Sequence, residues 1–306
     1  MPFSDIYRKQ VGLLVQILPL VAEEQCFALK GGTAINLFVR DMPRLSVDID
    51  LTYLPVENRE QSLAKIDAAL KRIAGRIKKL QPRFSITPSG PATQGTANKL
   101  VVRTPHLVQI KIEVTPVLRG CVYEPERRAI VKRAEQQFGF AEMQVLSFAD
   151  LYAGKIMAAL DRQHPRDLFD IHTLLLNEGL GPELVNALVI YLISHDHAPD
   201  KLLAPTEKDI SHEYRTGFAG MTEHAVPLDT LVSARQNLVK RVQSALSDDH
   251  KAFLLSFYRR QPEWSLLPLE GADQLPAVKW RERNLDRAGP ETREAIVVKL
   301  QDVIST

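Results

Sequence analysis

The chain has 306 residues, 45% of them hydrophobic, which is enough for two domains with real cores. Its formal net charge of +2 is too small to indicate nucleic-acid binding from composition alone. The longest apolar run is too short for a bilayer, the N-terminus does not resemble a signal peptide, and the two cysteines lack metal-ligand spacing, so we expect a cytoplasmic protein without membrane attachment.

The first predicted elements are an amphipathic helix over residues 4–25, a short strand from Phe27, and a helix from Thr33 to Arg40. Gly31 and Gly32 lie between the strand and the second helix. Glycines at such a turn expose backbone N–H groups beside the positive end of a helix, which suits a phosphate. Gly31, Gly32 and Thr33 are therefore candidate nucleotide-binding residues.

The next strand, residues 44–51, reads Arg-Leu-Ser-Val-Asp-Ile-Asp-Leu. Because side chains alternate along a strand, Ser46, Asp48 and Asp50 should share one face. Two neighbouring carboxylates repel each other unless a proton or a cation lies between them, and Mg²⁺ is a natural choice. The alternative is a surface strand whose aspartates are merely solvated.

Residues 57–80 predict a long helix with one basic face, interpreted either as a solvated face or as a contact with RNA phosphates or an acidic partner. A strand at 83–88, a Pro/Gly/Ser/Thr turn at 88–95 and a hairpin of 98–103 with 107–114 follow. Glu113 falls on the polar face of the second hairpin strand. Residues 143–146 are the last strand-like piece, and from Ser147 the chain is predicted to be helical.

Lys155 lies in an otherwise apolar or small stretch, so it either snorkels from a core helix or points at a buried anion, and Gly154 beside it leaves room for a close approach. Replacing Lys155 by methionine is expected to leave thermal stability unchanged or higher. His195 and His197 form a Ser-His-Asp-His segment, but two histidines without further ligands do not make a metal site.

The Gly-Gly-Thr turn, the Arg-x-Ser-x-Asp-x-Asp string and a downstream helical Lys155, then Arg162 and Arg-Asp-x-x-Asp at 166–170, resemble the AbiEii/AbiGii-type toxins, which include the MenT enzymes. The resemblance covers about residues 25–180 and extends to the polymerase-beta type of nucleotidyltransferase. It implies an α+β fold: a nucleotidyltransferase-fold mixed sheet with flanking helices over residues 1–146, then an all-helical domain over 147–306 that closes the active-site cleft.

In that fold a third carboxylate comes from a strand beside the Asp-x-Asp strand, and Glu113 is the candidate, although it could be an ordinary exposed glutamate. Lys155 and Arg162, seven residues apart, share a helix face and could clamp phosphates. Asp167 lies near a helix N-terminus, where its alternative role is capping plus a salt bridge to Arg162 or Arg166. For Asp170 we favour that structural role.

The resemblance thus implies a nucleotidyltransferase that uses Mg²⁺, with Mn²⁺ as the alternative ion, to transfer a nucleoside monophosphate from an NTP to RNA. The tRNA 3′ end is the expected acceptor, with blocked translation, a cognate antitoxin and a role in phage defence. Two alternatives stay open: nucleotidylation of a protein hydroxyl, and a non-catalytic nucleotide-binding module. The expected site residues are, as catalytic groups, Asp48, Asp50, Lys155 and Asp167; for the nucleotide, Gly31, Gly32, Thr33, Ser46, Lys155 and Arg162; and for the metal, Asp48, Asp50 and Glu113.

Overall fold

The computed structural model describes residues 3–90 and 97–305, so most of the turn predicted at 88–95 lies outside the described residues. Contacts divide the chain into two units, Met1–Ser147 with Ala219–Ala225, and Phe148–Phe218 with Val226–Thr306. The return of the segment Ala219–Ala225 to the first unit is a feature that chain order does not predict. Within the described ranges, no helix combines the length and the apolar character needed to cross a membrane.

A seven-stranded mixed sheet forms the centre of the first unit, with the strand order β3-β4-β5-β2-β1-β7-β6. Every described strand precedes residue 146, as predicted from the alternation of apolar residues. The strands are β1 (Phe27–Lys30), β2 (Asp48–Tyr53), β3 (Ser85–Ser89), β4 (Lys99–Arg103), β5 (Gln109–Val114), β6 (Glu126–Ala129) and β7 (Glu142–Val145).

Strand β2 lies in the middle of this sheet, antiparallel to β1 and parallel to β5. Ile49 is fully buried, whereas Asp48 and Asp50 keep partial exposure, which is the alternation expected of a strand. Asp50 is opposite Lys30 on β1 and level with Glu113 on β5. The strand that carries Glu113 is thus the neighbour of the Asp-x-Asp strand.

The helices of the first unit are α1 (Asp5–Ala22), α2 (Gly31–Ala34), which continues as a π-helical turn over Ile35–Val39, α3 (Arg59–Leu80) and α4 (Lys132–Phe138). Helix α3 begins two residues later than the pattern predicts because Asn58 caps it by accepting a hydrogen bond from the backbone N–H of Gln61. Ile66, Leu70 and Ile73 form its buried stripe.

The basic face of α3 is largely engaged by the protein itself. Lys71 pairs with Asp67. Arg72 and Arg76 both bind the nearly buried carboxylate of Glu24, and this pairing holds the pKa of Glu24 below its ordinary value. The two contacts with Glu24 anchor α3 to the segment that follows α1. They favour a structural role for this face over a contact with RNA.

Helices make up the regular structure of the described second unit: α5 (Phe148–Asp161), α6 (Pro165–Asn177), α7 (Pro182–Ile193), α8 (Pro199–Leu203), α9 (Ser211–Gly217), α10 (Leu228–Ala245), α11 (Asp248–Tyr258), α12 (Pro276–Arg287) and α13 (Pro290–Ile304), with short 3₁₀ turns at Trp264–Leu266 and Ala272–Gln274. Helices α8 and α9 are too short to give a periodic pattern, so the sequence did not predict them.

The space at Gly154 is filled by Tyr191 of α7, whose ring would lie 3.3 Å from a Cβ at Gly154. Gly154 thus serves the packing of α5 on α7.

Candidate active site

The turn between β1 and α2 depends on glycine at Gly31. Its φ angle is +71°, a conformation that residues with a Cβ rarely adopt. A Cβ at this position would lie 2.6 Å from Oδ2 of Asp50, closer than two such atoms can approach. The backbone of the turn is therefore pressed directly against the second carboxylate of the Asp-x-Asp pair.

Gly32 is equally constrained, but by two other side chains. A Cβ there would lie 2.7 Å from Nη2 of Arg44 and 2.8 Å from Oγ of Ser46. Arg44 is only 2% exposed, and its Nη1 donates to the carbonyl of Leu45. Arg44 belongs to the Arg-x-Ser-x-Asp-x-Asp string but is not among the site residues predicted from the sequence. The available signal was its spacing, because Arg44, Ser46, Asp48 and Asp50 follow one another at every second position.

One further hydrogen bond holds the turn against β2, and another braces the turn from its own helix. The hydroxyl of Thr33, which is fully buried, donates to the backbone carbonyl of Asp48 at 2.6 Å. The side-chain amide of Asn36 donates to the carbonyl of Gly32 at 2.9 Å. The hydroxyl proton of Thr33 is thus used within the protein, and the predicted contact of Thr33 with a nucleotide stays a prediction.

The predicted metal ligands come from two adjacent strands. Asp48 and Asp50 are partly exposed, and Glu113, whose side chain is 46% exposed, pairs with Lys99 at 3.1 Å. Carboxylate oxygens on one polar face are the donor set that Mg²⁺ and Mn²⁺ prefer, so the residues present fit such an ion. In the described part of the chain, the three carboxylates do not form a group in which one oxygen from each lies within 4.8 Å of the others. Metal binding by Glu113, which stays a prediction, would require its release from Lys99.

Lys30, which ends β1, is a second cation that the sequence analysis did not assign to the site. Its register position is opposite Asp50, and its Nζ donates to Oγ1 of Thr115 at 2.6 Å. The signal was its position immediately before Gly31. Lys30 and Arg44 therefore add positive charge on both sides of the Gly-Gly turn.

In the second unit, the downstream motif forms a buried ion cluster. Nζ of Lys155 lies 2.7 Å from Oδ1 of Asp167 and 3.1 Å from Oδ2 of Asp170. Nε of Arg162, an exposed side chain, lies 2.6 Å from Oδ2 of Asp167. Lys155 is 6% exposed, and both aspartate side chains are 1% exposed.

Burial alone would raise the pKa of the Asp167 carboxyl, but the charges of Lys155 and Arg162 outweigh it and hold the pKa well below its ordinary value. The anion at which Lys155 points is therefore part of the protein. This reverses the expectation that replacing Lys155 by methionine leaves stability unchanged, because the change would leave buried carboxylates with less compensation.

Two structural details of this motif also differ from the sequence analysis. The N-cap of α6 is His164, whose Nδ1 accepts the backbone N–H of Arg166, and not Asp167. Asp170 forms a salt bridge to Lys155, a partner that the sequence did not predict for it. The catalytic roles predicted for Lys155 and Asp167, and the nucleotide contact predicted for Arg162, stay predictions.

Comparison with known proteins gives a consistent result. Residues 12–280 match the family model described as the nucleotidyl transferase AbiEii toxin of a type IV toxin–antitoxin system. The fold is similar to that of MenT4, a nucleotidyltransferase toxin from Mycobacterium tuberculosis H37Rv, with a TM-score of 0.60 and 17% identity over 85% of this chain and 92% of that chain. No curated protein matches the chain. The match over most of the chain confirms the predicted family and fold, and the chain belongs to the AbiEii family of nucleotidyltransferase toxins of type IV toxin–antitoxin systems.

Proposed function

We propose that this nucleotidyltransferase toxin transfers a nucleoside monophosphate from an NTP to RNA in the bacterial cytoplasm, and thereby blocks translation. The acceptor would be the 3′ end of a tRNA, and a cognate antitoxin would neutralise the toxin. The family membership supports a transferase and an antitoxin. The choice of RNA, of tRNA and of translation as the target comes from the resemblance noted in the sequence.

The observation that carries the proposal is the contact between the Gly-Gly turn and the Asp-x-Asp strand. Gly31 has no room for a side chain because the Asp50 carboxylate occupies that space, and Gly32 has none because of Arg44 and Ser46. A phosphate-binding turn and a pair of cation-binding carboxylates are thereby held in direct contact. This is the arrangement that transfer of a nucleotide from a metal-bound triphosphate requires.

The reaction would form a bond between the acceptor oxygen and the α-phosphorus and would break the bond to the β-phosphate, with release of pyrophosphate. Asp48 and Asp50 would hold Mg²⁺ or Mn²⁺, which neutralises the triphosphate and lowers the pKa of the attacking hydroxyl. Backbone N–H groups at Gly31 and Gly32 would bind phosphate oxygens, and Ser46 would donate a further hydrogen bond. Arg44 and Lys30 would add the positive charge that the leaving pyrophosphate needs.

The direct test is to incubate the protein with each NTP, labelled at the α-phosphate, together with Mg²⁺, total RNA and a bacterial lysate. We expect one NTP to label a product that nuclease destroys and protease does not. The Asp50→Ala variant should give no labelled product, and Glu142→Ala, a strand carboxylate on β7, should label like the wild type. Circular dichroism would verify that both variants are folded.

Other outcomes would select the alternatives. A labelled product that protease destroys would indicate nucleotidylation of a protein hydroxyl. Binding of an NTP without any labelled product would indicate a non-catalytic module. Equal labelling by the wild type and Asp50→Ala would contradict the site itself.

Toxicity is a separate question and needs a separate experiment. Expression of the wild-type chain alone should arrest bacterial growth, with translation falling before other syntheses. Expression of Asp50→Ala at the same level should not. Arrest by both proteins would point to a binding effect instead of chemistry.

A further inference from the structure

The loop that follows α7 contains His195, Asp196 and His197. In the structure, a carboxylate from a distant part of the sequence lies close to this loop. Asp161, the last residue of α5, approaches both histidines. Its Oδ1 lies 2.9 Å from Nδ1 of His197, and its Oδ2 lies 3.9 Å from Nε2 of His195. The helix end and the loop, both in the second unit, thus bring two imidazoles and a carboxylate together.

These separations suit a small tetrahedral metal ion. With zinc–ligand bonds of about 2.0–2.2 Å, neighbouring ligand atoms at a tetrahedral centre are roughly 3.3–3.6 Å apart. The two contacts of Asp161 involve different oxygens of its carboxylate and are 2.9 Å and 3.9 Å long, on either side of that range, so binding of one ion would require the side chains to rotate. In the described part of the chain, His195, Asp196 and His197 form the one group of three such residues whose ligand atoms all lie within 4.8 Å of one another, so the two imidazoles already share one small region, while Asp161 meets each of them through a different oxygen.

The surroundings hold the loop in place. Oδ1 of Asp196 lies 3.1 Å from Nδ1 of His195, the position from which a carboxylate orients a metal-binding histidine whose other nitrogen is the ligand. Arg281 of α12 is 8% exposed and donates to the backbone carbonyls of Asp196 and His197, at 3.2 Å each. The backbone N–H of His197 donates to the same Nδ1 of His195 at 3.2 Å, so metal binding through Nε2 would exchange this hydrogen bond for one that a protonated Nδ1 donates to Asp196.

We propose that Asp161, His195 and His197 form a zinc site, with water as the fourth ligand and Asp196 orienting His195. Imidazole nitrogens select zinc over magnesium, whereas the all-carboxylate set of Asp48 and Asp50 does the opposite. The side chain of His197 is 54% exposed and that of His195 is 20% exposed, so an ion has access from solvent. Bound zinc would join the end of α5 to the loop between α7 and α8 and stabilise the folded chain by mass action.

The test is zinc binding by the full-length chain after removal of metals with a chelator and dialysis against micromolar zinc. Elemental analysis should find one zinc per wild-type chain, and zinc should raise the melting temperature. His197→Ala and Asp161→Asn should lose both effects. His212→Ala, which removes an exposed histidine of α9, should behave like the wild type. Asp196→Asn should weaken zinc affinity about 10–100-fold, the usual cost of losing an orienting partner.

Two controls separate this site from the candidate active site. The double variant Asp48→Ala/Asp50→Ala should still bind one zinc, and excess Mg²⁺ should not displace it. Co²⁺ should give the visible absorption of a tetrahedral complex in the wild type and not in His197→Ala. Absence of zinc from the wild type, retention of zinc by His197→Ala, or loss of zinc in the double variant would each overturn the proposal.

Discussion

Asp48 and Asp50 in the first unit remain partly exposed on strand β2, whereas Asp167 and Asp170 in the second unit are at most 2% exposed. The buried pair is compensated by Lys155, which contacts both of its carboxylates. By contrast, no cation of the described chain lies within ion-pair distance of the Asp48 carboxylate. The same side-chain chemistry is therefore satisfied by a buried lysine in one region, whereas in the other Asp48 keeps a partly exposed carboxylate that an external cation can reach.

Burial and ion pairing thus distinguish carboxylates that can serve the reaction from carboxylates that support the fold. A carboxylate that the protein leaves partly exposed costs little to remove, and its loss should affect function first. A buried, ion-paired carboxylate supports the fold, and its loss should affect stability first.

The largest expected effect is the loss of nucleotide transfer when Asp48 is substituted. Asp48→Asn should lower nucleotide transfer by roughly 10³-fold or more, because metal-ion stabilisation of the reacting phosphate is worth several kcal/mol. Its melting temperature should stay equal to or slightly above that of the wild type, since one of two neighbouring like charges is removed. Initial rates with labelled NTP and thermal melts measure both quantities. Transfer within tenfold of the wild type would remove Asp48 from the site.

The second prediction concerns the buried ion cluster of Lys155, Asp167 and Asp170. Lys155→Met should lower the free energy of unfolding by about 3–5 kcal/mol, because it removes the buried cation that contacts the carboxylates of both Asp167 and Asp170. The matched control is Lys71→Met on α3, whose salt bridge to Asp67 is formed by a side chain that is 72% exposed. That change should cost less than about 1 kcal/mol. Urea denaturation of both variants measures the difference.

Acid provides an independent readout of the same cluster. The folded-state pKa of Asp167 is held well below its unfolded-state value of about 4, so its stabilisation is complete above that value and is lost as the pH falls towards the folded-state pKa. Asp167→Asn should therefore flatten the loss of stability below pH 4. If Lys155→Met is as stable as the wild type and Asp167→Asn unfolds in acid unchanged, the cluster has no structural role.

The third prediction separates backbone strain from close approach at the Gly-Gly turn. Gly31 and Gly179 have nearly equal φ angles, +71° and +69°, so alanine at either position carries a similar strain of about 1–3 kcal/mol. Within the described chain, a Cβ at Gly179 meets nothing within 4 Å, whereas one at Gly31 meets the Asp50 carboxylate. Gly31→Ala should thus cost about 1–3 kcal/mol more than Gly179→Ala.

Only Gly31→Ala should also reduce transfer, because it displaces Asp50. Thermal melts and initial rates on the two variants give the comparison. Equal stability and equal activity would mean that the turn is not pressed against the carboxylate in solution.

Local pattern was sufficient to predict most of the first unit. Alternation located β2 and β5, and the strand-Gly-Gly-helix order located the turn. The register of the strands could not be predicted from pattern. Asp50 lies level with Glu113 and opposite Lys30 because strands far apart in sequence pair with one another.

In the second unit, pattern identified the charged residues but not their partners. For Lys155 the pattern leaves two alternatives, snorkelling or a buried anion such as a phosphate, and the anions that it contacts are Asp167 and Asp170 of the next helix. The partner of Gly154, the ring of Tyr191, is on a third helix. Contacts between helices depend on crossing angles and rotation about each axis, which a single sequence does not fix.

The smallest expected effect is at Glu113, which is both a predicted metal ligand and a member of a salt bridge. Glu113 lies level with Asp50, as a third metal ligand should, yet it already pairs with Lys99. Because metal binding would have to compete with that exposed pair, Glu113→Gln should weaken Mg²⁺ affinity by only about 10–100-fold, the usual cost of a supporting carboxylate.

The matched control is Glu142→Gln on β7, a strand glutamate paired with Arg127 and similarly exposed, which should leave Mg²⁺ affinity unchanged. Titration of the transfer rate with Mg²⁺ measures both variants. A loss as large as that of Asp48→Asn would make Glu113 a full ligand, and no change would assign it to its salt bridge with Lys99.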